Sequence, residues 1–131
     1  MNGPIDQEAA LRALRAWVAA LNAYGNRSAT GRVMADEVVI ERGGFGAERG
    51  RVVQTIRGLD AANAWLRMTR HVVTFSADEA TLHSQGRGWS ARYRLTAPDD
   101  FCGGGLWQFE LDGHGRIVRL QHWPDDLPDG P

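Results

Sequence analysis

The chain has 131 residues, a hydrophobic content of 43% and a formal net charge of −1. This size and apolar content predict a single domain over residues 1–131, with flexible ends at about 1–5 and 124–131. The charges form no basic stripe and no acidic tail, so nucleic-acid binding is not expected. No apolar run suits a membrane span or a secretory signal, which predicts a cytoplasmic protein without membrane contact.

All 15 basic residues are arginine. The lack of lysine excludes Schiff-base chemistry, pyridoxal phosphate attachment and a Walker-type phosphate loop. The single cysteine, Cys102, excludes an internal disulfide, and no neighbouring His in the sequence would activate it. The four histidines are dispersed without ligand spacing, so no metal site is predicted.

Helical patterns occur in the N-terminal half of the chain. Asp6 is a candidate N-cap for a helix whose apolar residues recur at helical spacing and which Gly25 ends. Residues 28–35 predict a short second helix. Asp60 is the candidate cap of a third helix at residues 61–70.

Strand patterns account for most of the remaining chain. Residues 36–42 and 51–57 predict two strands between the second and third helices. Beyond residue 70 five more strands are predicted, joined by turns rich in Asp and Gly, at 71–76, 80–85, 88–96, 106–112 and 116–123. This order predicts an α+β fold in which three helices cover the concave face of a cone-shaped, curved antiparallel sheet.

The last predicted strand pair places one titratable side chain on an apolar face. If the turn pairs Leu111 with Arg116, His122 lies on the inner face beside Gly105 and diagonal to Trp107. A turn longer or shorter by one residue would move His122 to the other face. An ordinary pKa near neutrality in an apolar setting suits a general base, and the alternative is a core histidine held by one hydrogen bond.

Other inward-facing side chains are candidate contacts for a small molecule. Arg42 shares a face with Ile40, where it would hold a substrate carboxylate or enolate oxygen or, in the favoured interpretation, pair with a structural acid such as Asp36. Tyrosines would donate hydrogen bonds to a substrate oxygen, and large apolar side chains would form the walls. The predicted contacts besides Arg42 are Trp17, Tyr24, Trp89, Tyr93, Trp107, Phe109 and Leu120.

Three segments carry a resemblance to a known superfamily. They are residues 18–23 (Val-Ala-Ala-Leu-Asn-Ala), 34–41 (Met-Ala-Asp-Glu-Val-Val-Ile-Glu) and 112–118 (Asp-Gly-His-Gly-Arg-Ile-Val). With the element order, they resemble the nuclear transport factor 2-like superfamily and, within it, SnoaL-like proteins, with some similarity to ketosteroid isomerase. Residues 69–74 (Thr-Arg-His-Val-Val-Thr) are similar to the histidine-bearing segment of scytalone-dehydratase-like proteins.

This resemblance implies a cystatin-like α+β barrel with a deep apolar pocket, no metal or organic cofactor, and a homodimer through the convex sheet face. It implies isomerisation, dehydration or cyclisation of a small, apolar, oxygenated molecule, with epoxide opening less favoured. His122 falls where SnoaL-like cyclases place a catalytic acid/base, and His71 matches the dehydratase-like histidine. Ketosteroid isomerase activity is rejected, because Trp17, Arg42 and Trp107 stand at that enzyme's tyrosine, base and second acid.

Two non-catalytic alternatives remain open at this point. The first is a module of the same fold that binds a small ligand or dimerises, in which His122→Ala preserves any turnover. The second is a scaffold protein with a filled pocket, in which Trp17, Trp107 and Leu120 pack onto one another.

Overall fold

A computed structural model describes residues 4–23, 27–68, 74–96 and 102–125. The helices are α1 (Pro4–Asn22), α2 (Arg27–Val33) and α3 (Leu59–Met68), and the strands are β1 (Met34–Gly43), β2 (Val52–Arg57), β3 (Thr74–Gln85), β4 (Gly88–Thr96), β5 (Cys102–Leu111) and β6 (Ile117–Pro124). A short 3-10 turn, Gly46–Glu48, lies between β1 and β2. None of the described helices is long and apolar enough to cross a bilayer.

Helix α1 forms because its apolar residues recur every three or four positions and meet the sheet on one face. Ala10, Leu14, Trp17 and Leu21 on that face are all buried. At the C-terminal end of α1, the Asn22 side chain accepts the backbone N–H of Phe75 and donates to its carbonyl oxygen, at 2.9 and 3.0 Å. These two hydrogen bonds attach the helix to the edge strand β3. The predicted stop of the helix at Gly25 lies outside the described residues.

The six strands form one sheet in the order β2-β1-β6-β5-β4-β3. Every neighbouring pair is antiparallel except β1 and β6, which run parallel. A long connection carries the chain between β1 and β6, which a parallel pair requires. The helices pack on the concave face, where the core residues include Val38, Ile40, Ala91, Tyr93, Trp107, Phe109 and Leu120. The predicted α+β cone is confirmed, although the sheet is not wholly antiparallel.

Strand β3 joins two strands that the sequence predicts as separate. Its pairing with β4 is interrupted between Asp78 and His83. There the Thr81 hydroxyl donates to the Asp78 carbonyl at 2.7 Å and accepts the Arg92 N–H at 2.8 Å. The Thr81 hydroxyl thus replaces backbone hydrogen bonds between β3 and β4 at this interruption, so the strand continues through the polar segment. Residues 71–73 of the predicted strand lie outside the described residues.

The register of β5 and β6 differs from the predicted one. Leu111 pairs with Ile117, one residue later than predicted, and a bulge next to Leu111 adds a second residue of shift. The total shift of two keeps His122 on the inner face, because side chains alternate with a period of two. It places His122 directly opposite Trp107 instead of beside Gly105.

Candidate active site

Three aromatic side chains contact one another on the concave face and are linked by hydrogen bonds through His122; we call this hydrogen-bonded series the Trp107–His122–Tyr93 row. The indole Nε1–H of Trp107 donates to Nδ1 of His122 at 3.0 Å. Nε2 of the same imidazole lies 2.9 Å from the Tyr93 hydroxyl oxygen. The Tyr93 ring stacks on the Trp107 ring with centroids 4.5 Å apart. Strands β5, β6 and β4 each contribute one member.

The partners of His122 determine which of its nitrogens carries the proton. An indole nitrogen only donates, so Nδ1 of His122 must be the acceptor and carries no hydrogen. The neutral imidazole therefore has its hydrogen on Nε2 and donates it to the Tyr93 oxygen. Among the described residues the Tyr93 hydroxyl has no further hydrogen-bond partner, so its own hydrogen is not used within the row.

The row is uncharged at neutral pH. Burial, together with the positive charge of Arg42, lowers the pKa of His122 from 6.5 to about 4. The hydrogen bond from Trp107 also lowers the pKa of His122, because a protonated Nδ1 would face the indole N–H group. Burial also raises the pKa of Tyr93 above its usual value, so the phenol stays protonated. The row can offer hydrogen-bond donors but no charge.

Arg42 lies beside His122 in the parallel pairing of β1 and β6, on the predicted inner face. Its Nη1 donates to Oε1 of Gln54 at 2.6 Å, and its guanidinium carbon is 5.5 Å from the centre of the Trp65 ring. The favoured pairing of Arg42 with Asp36 is wrong. Asp36 and Arg42 are six positions apart on the extended strand β1, which separates them by about 20 Å. Their side chains cannot span that distance.

Large apolar side chains fill the interior behind the row. The Trp17 ring meets Trp107 edge-on at 5.9 Å and stacks on Trp65 at 6.5 Å. Trp17, Trp107 and Leu120 are each at most 1% exposed. His122 and Arg42 are only partly buried, so the accessible part of the cluster lies at these two residues. This close packing is what the filled-pocket alternative predicts for this part of the interior.

The remaining candidates fall outside the row. Trp89 and Phe109 pair across β4 and β5 and are buried in the core. Tyr24 and His71 lie outside the described residues, so their proposed roles stay predictions. Among the side chains that the structure describes, no three His, Cys, Asp or Glu lie together as metal ligands would.

Two features of this site are not apparent from the sequence. Gln54, on the edge strand β2, holds one end of the Arg42 guanidinium. Trp107 was expected only as an apolar wall, whereas its N–H group orients His122. A correct register for β5 and β6 would have revealed the second feature, since the two residues then stand opposite each other.

The convex face carries polar and charged side chains. Its ion pairs include Arg119 with Glu41 and Arg92 with Asp125. A groove of about 330 Å³ there is lined mainly by polar side chains, with the flanking Trp89 and Phe109. The homodimer through this face stays a prediction.

The curved sheet with helices on its concave side is the fold of nuclear transport factor 2-like proteins, and solved structures support this. A proposed isomerase of the SnoaL-like family from Agrobacterium tumefaciens has a TM-score of 0.73 and 19% identity, covering 90% of this chain and 98% of that chain. An NTF2-like protein of unknown function from Mesorhizobium loti has a TM-score of 0.71 and 18% identity, covering 94% and 96%. A Mycobacterium tuberculosis protein in complex with estradiol-17beta-hemisuccinate has a TM-score of 0.62 and 20% identity, covering 86% and 91%.

No protein-family model and no curated protein matches the sequence. At identities of 20% or less, these three structures establish the fold and leave the activity to be argued from the site. The predicted SnoaL-like architecture is therefore confirmed as a fold.

Proposed function

We propose that the protein is a cofactor-independent enzyme of the isomerase, dehydratase or cyclase type. Its substrate is a small, largely apolar molecule with a carbonyl oxygen. The observation that carries this proposal is the direction of the hydrogen bonds in the Trp107–His122–Tyr93 row, which leaves the hydrogen of the phenol for another acceptor. The SnoaL-like isomerase neighbour and the neighbour bound to a steroid ester support a substrate of this kind.

The proposed chemistry is removal of a proton from the carbon next to the carbonyl. Negative charge then develops on the carbonyl oxygen, and a donor already fixed by packing stabilises it without rearranging. Tyr93 is such a donor, since its ring stacks on Trp107 and also packs against the Phe75 ring 6.1 Å away. His122 strengthens the donor, because a hydrogen bond received by the phenol oxygen polarises its O–H bond.

His122 has two possible roles within this proposal. As a neutral ring it positions and polarises Tyr93, and the acid/base role expected from the sequence is the alternative. For the second role Nδ1 would have to release Trp107 before accepting a proton, since that bond occupies its lone pair. His71 remains a candidate for the proton-transfer step.

Hydrogen exchange of a ketone in heavy water tests the proposal. With 2-tetralone as the probe, followed by proton NMR, the wild-type protein should accelerate exchange of the hydrogens next to the carbonyl. Tyr93→Phe should lower that rate about 100-fold, the usual effect of losing one such donor. Thr96→Val, which removes an exposed hydroxyl from the same strand, should leave the rate unchanged. Equal rates for the wild type and Tyr93→Phe would rule out this role of the phenol.

A non-catalytic binding module is the second candidate function. The close packing of Trp17 against Trp107 favours it, because it leaves less room behind the row for a reacting molecule. In that case 2-tetralone binds without faster exchange, and His122→Ala alters affinity but no rate.

A further inference from the structure

Two buried hydrogen-bond donors on the concave side have no acceptor among the described residues. They are Nε1 of Trp17 and Nε of Arg42. Both belong to one stack, because the Trp17 ring and the Arg42 guanidinium each lie against Trp65. Buried donors in folded proteins are nearly always paired, so each of these two donors indicates an acceptor that the described residues do not supply.

The groups around Arg42 do not balance its positive charge. Gln54 and Trp65 are neutral, and the lowered pKa of His122 keeps that ring neutral as well. Within the described part of the chain, no carboxylate lies at ion-pair distance from Arg42.

Asp125 is the one described acid whose charge affects the pKa of a member of the row. Its charge contributes to raising the pKa of Tyr93, but its carboxylate is paired with Arg92 at 2.5 Å. Counting only the residues that the structure describes, the concave side of this region therefore has a cation without a counter-charge. Partly buried charges are normally paired, which makes an anion the expected partner.

The contacts of Arg42 also define the shape of that anion. Gln54 occupies Nη1, whereas the opposite edge of the guanidinium, formed by Nε and Nη2, has no acceptor among the described residues, and Nε itself is buried. Two parallel N–H groups on one edge match the two oxygens of a carboxylate. The Trp65 ring, on which the Arg42 guanidinium lies, is partly exposed and adds aromatic surface beside that edge for the rest of the ligand.

We propose that the ligand of this site is a ring-containing carboxylic acid whose carboxylate binds the Nε/Nη2 edge of Arg42. The assignment rests on the proposed function in that it names the substrate class for the same site. It adds a charge requirement that the ketone chemistry at Tyr93 does not need.

Two probes with the same ring and different charge test the assignment. The affinities of 2-naphthoate and of neutral 2-naphthamide are measured by NMR titration of the tryptophan indole N–H signals, with benzoate and benzamide as a smaller pair. The wild type should bind each carboxylate at least about tenfold more tightly than its amide, as expected for charge-assisted hydrogen bonds. Added salt should reduce this preference.

Variants at Arg42 show whether this residue causes the preference for carboxylate over amide. Arg42→Gln should abolish the preference, and Arg42→Lys should keep only part of it, because lysine retains the charge and loses the two parallel N–H groups. Arg57→Gln is the matched control, since it removes an exposed arginine from the edge strand β2 and should leave the preference intact. Retained indole dispersion in each variant shows that the fold is unchanged.

Three results would overturn the assignment: equal affinities for acid and amide in the wild type, a preference that survives Arg42→Gln, or binding of neither carboxylate at millimolar concentration. The ketone-exchange assay separates this outcome from failure of the proposed function. If Tyr93→Phe still slows exchange while acid and amide bind equally, only the carboxylate assignment falls.

Discussion

The pKa of His122 makes the stability of the folded protein depend on pH. Its value falls from 6.5 to about 4 on folding, so between these two values the unfolded chain binds more protons. Stability contributed by the neutral ring is complete above the unfolded value and decreases as the pH drops through it. From pH 7.5 to pH 5.5 the unfolding free energy should fall by about 1.4 kcal/mol through this residue alone.

That figure depends little on how low the folded pKa is. At pH 5.5 a ring with a pKa near 4 is still unprotonated in the folded state, so the loss reflects protonation of the unfolded chain. Asp112 and Glu79 have folded pKa values below their ordinary 3.8 and 4.5, so they act at lower pH. The window from 5.5 to 7.5 therefore isolates histidine.

Urea unfolding, followed by tryptophan fluorescence at pH 7.5 and 5.5, measures the effect. His122→Gln keeps an acceptor for Trp107 and a donor for Tyr93 but does not titrate, so the loss of about 1.4 kcal/mol should disappear. His83→Gln removes an exposed histidine and should retain the wild-type dependence. A His122→Gln variant that still loses the full amount would refute the neutral state of His122 in the folded protein.

Two further predictions concern the neighbours of the row. Trp107→Phe keeps an aromatic ring and removes the N–H donor, so the pKa of His122 should rise by about 0.7 units in an NMR titration, since one hydrogen bond is worth about 1 kcal/mol. Faster ketone exchange in this variant would favour the base role of His122, and slower exchange the donor role. Gly105→Ala should destabilise the protein by about 1–3 kcal/mol in guanidinium, because its new Cβ collides with the Trp123 carbonyl oxygen. Gly113→Ala, whose Cβ meets no atom within 4 Å, is its control, and equal losses would contradict the steric reason.

Local patterns predict much of the fold correctly. Strand β4 has the predicted bounds, Gly88–Thr96, because its alternation is uninterrupted and turns flank it. His122 lies on the predicted face for the same reason. The parallel pairing of β1 with β6 could not be predicted from local patterns, because these patterns do not indicate which distant strands are neighbours in the sheet.

The errors in the candidate site have specific causes. Leu111 pairs one residue later than predicted and a bulge beside it adds a second residue, so the partner of His122 is displaced by two positions; bulges leave little trace in hydrophobic spacing. The contact between Arg42 and Gln54 depends on the pairing of β1 with β2, which a strand pattern alone does not define. Strand alternation identified the inward-facing residues of the site, while their hydrogen-bond partners required the register.

The central position of β6 has a consequence for how the protein acquires its site. During synthesis, β1 with β2 and the meander of β3 to β5 emerge first, and neither has its sheet neighbour until β6 leaves the ribosome. His122 arrives on that last strand, so Arg42 and Tyr93 are brought to one surface only when it inserts between them. A nascent chain stalled before β6 should expose two unpaired strand edges and depend on chaperones for protection against aggregation.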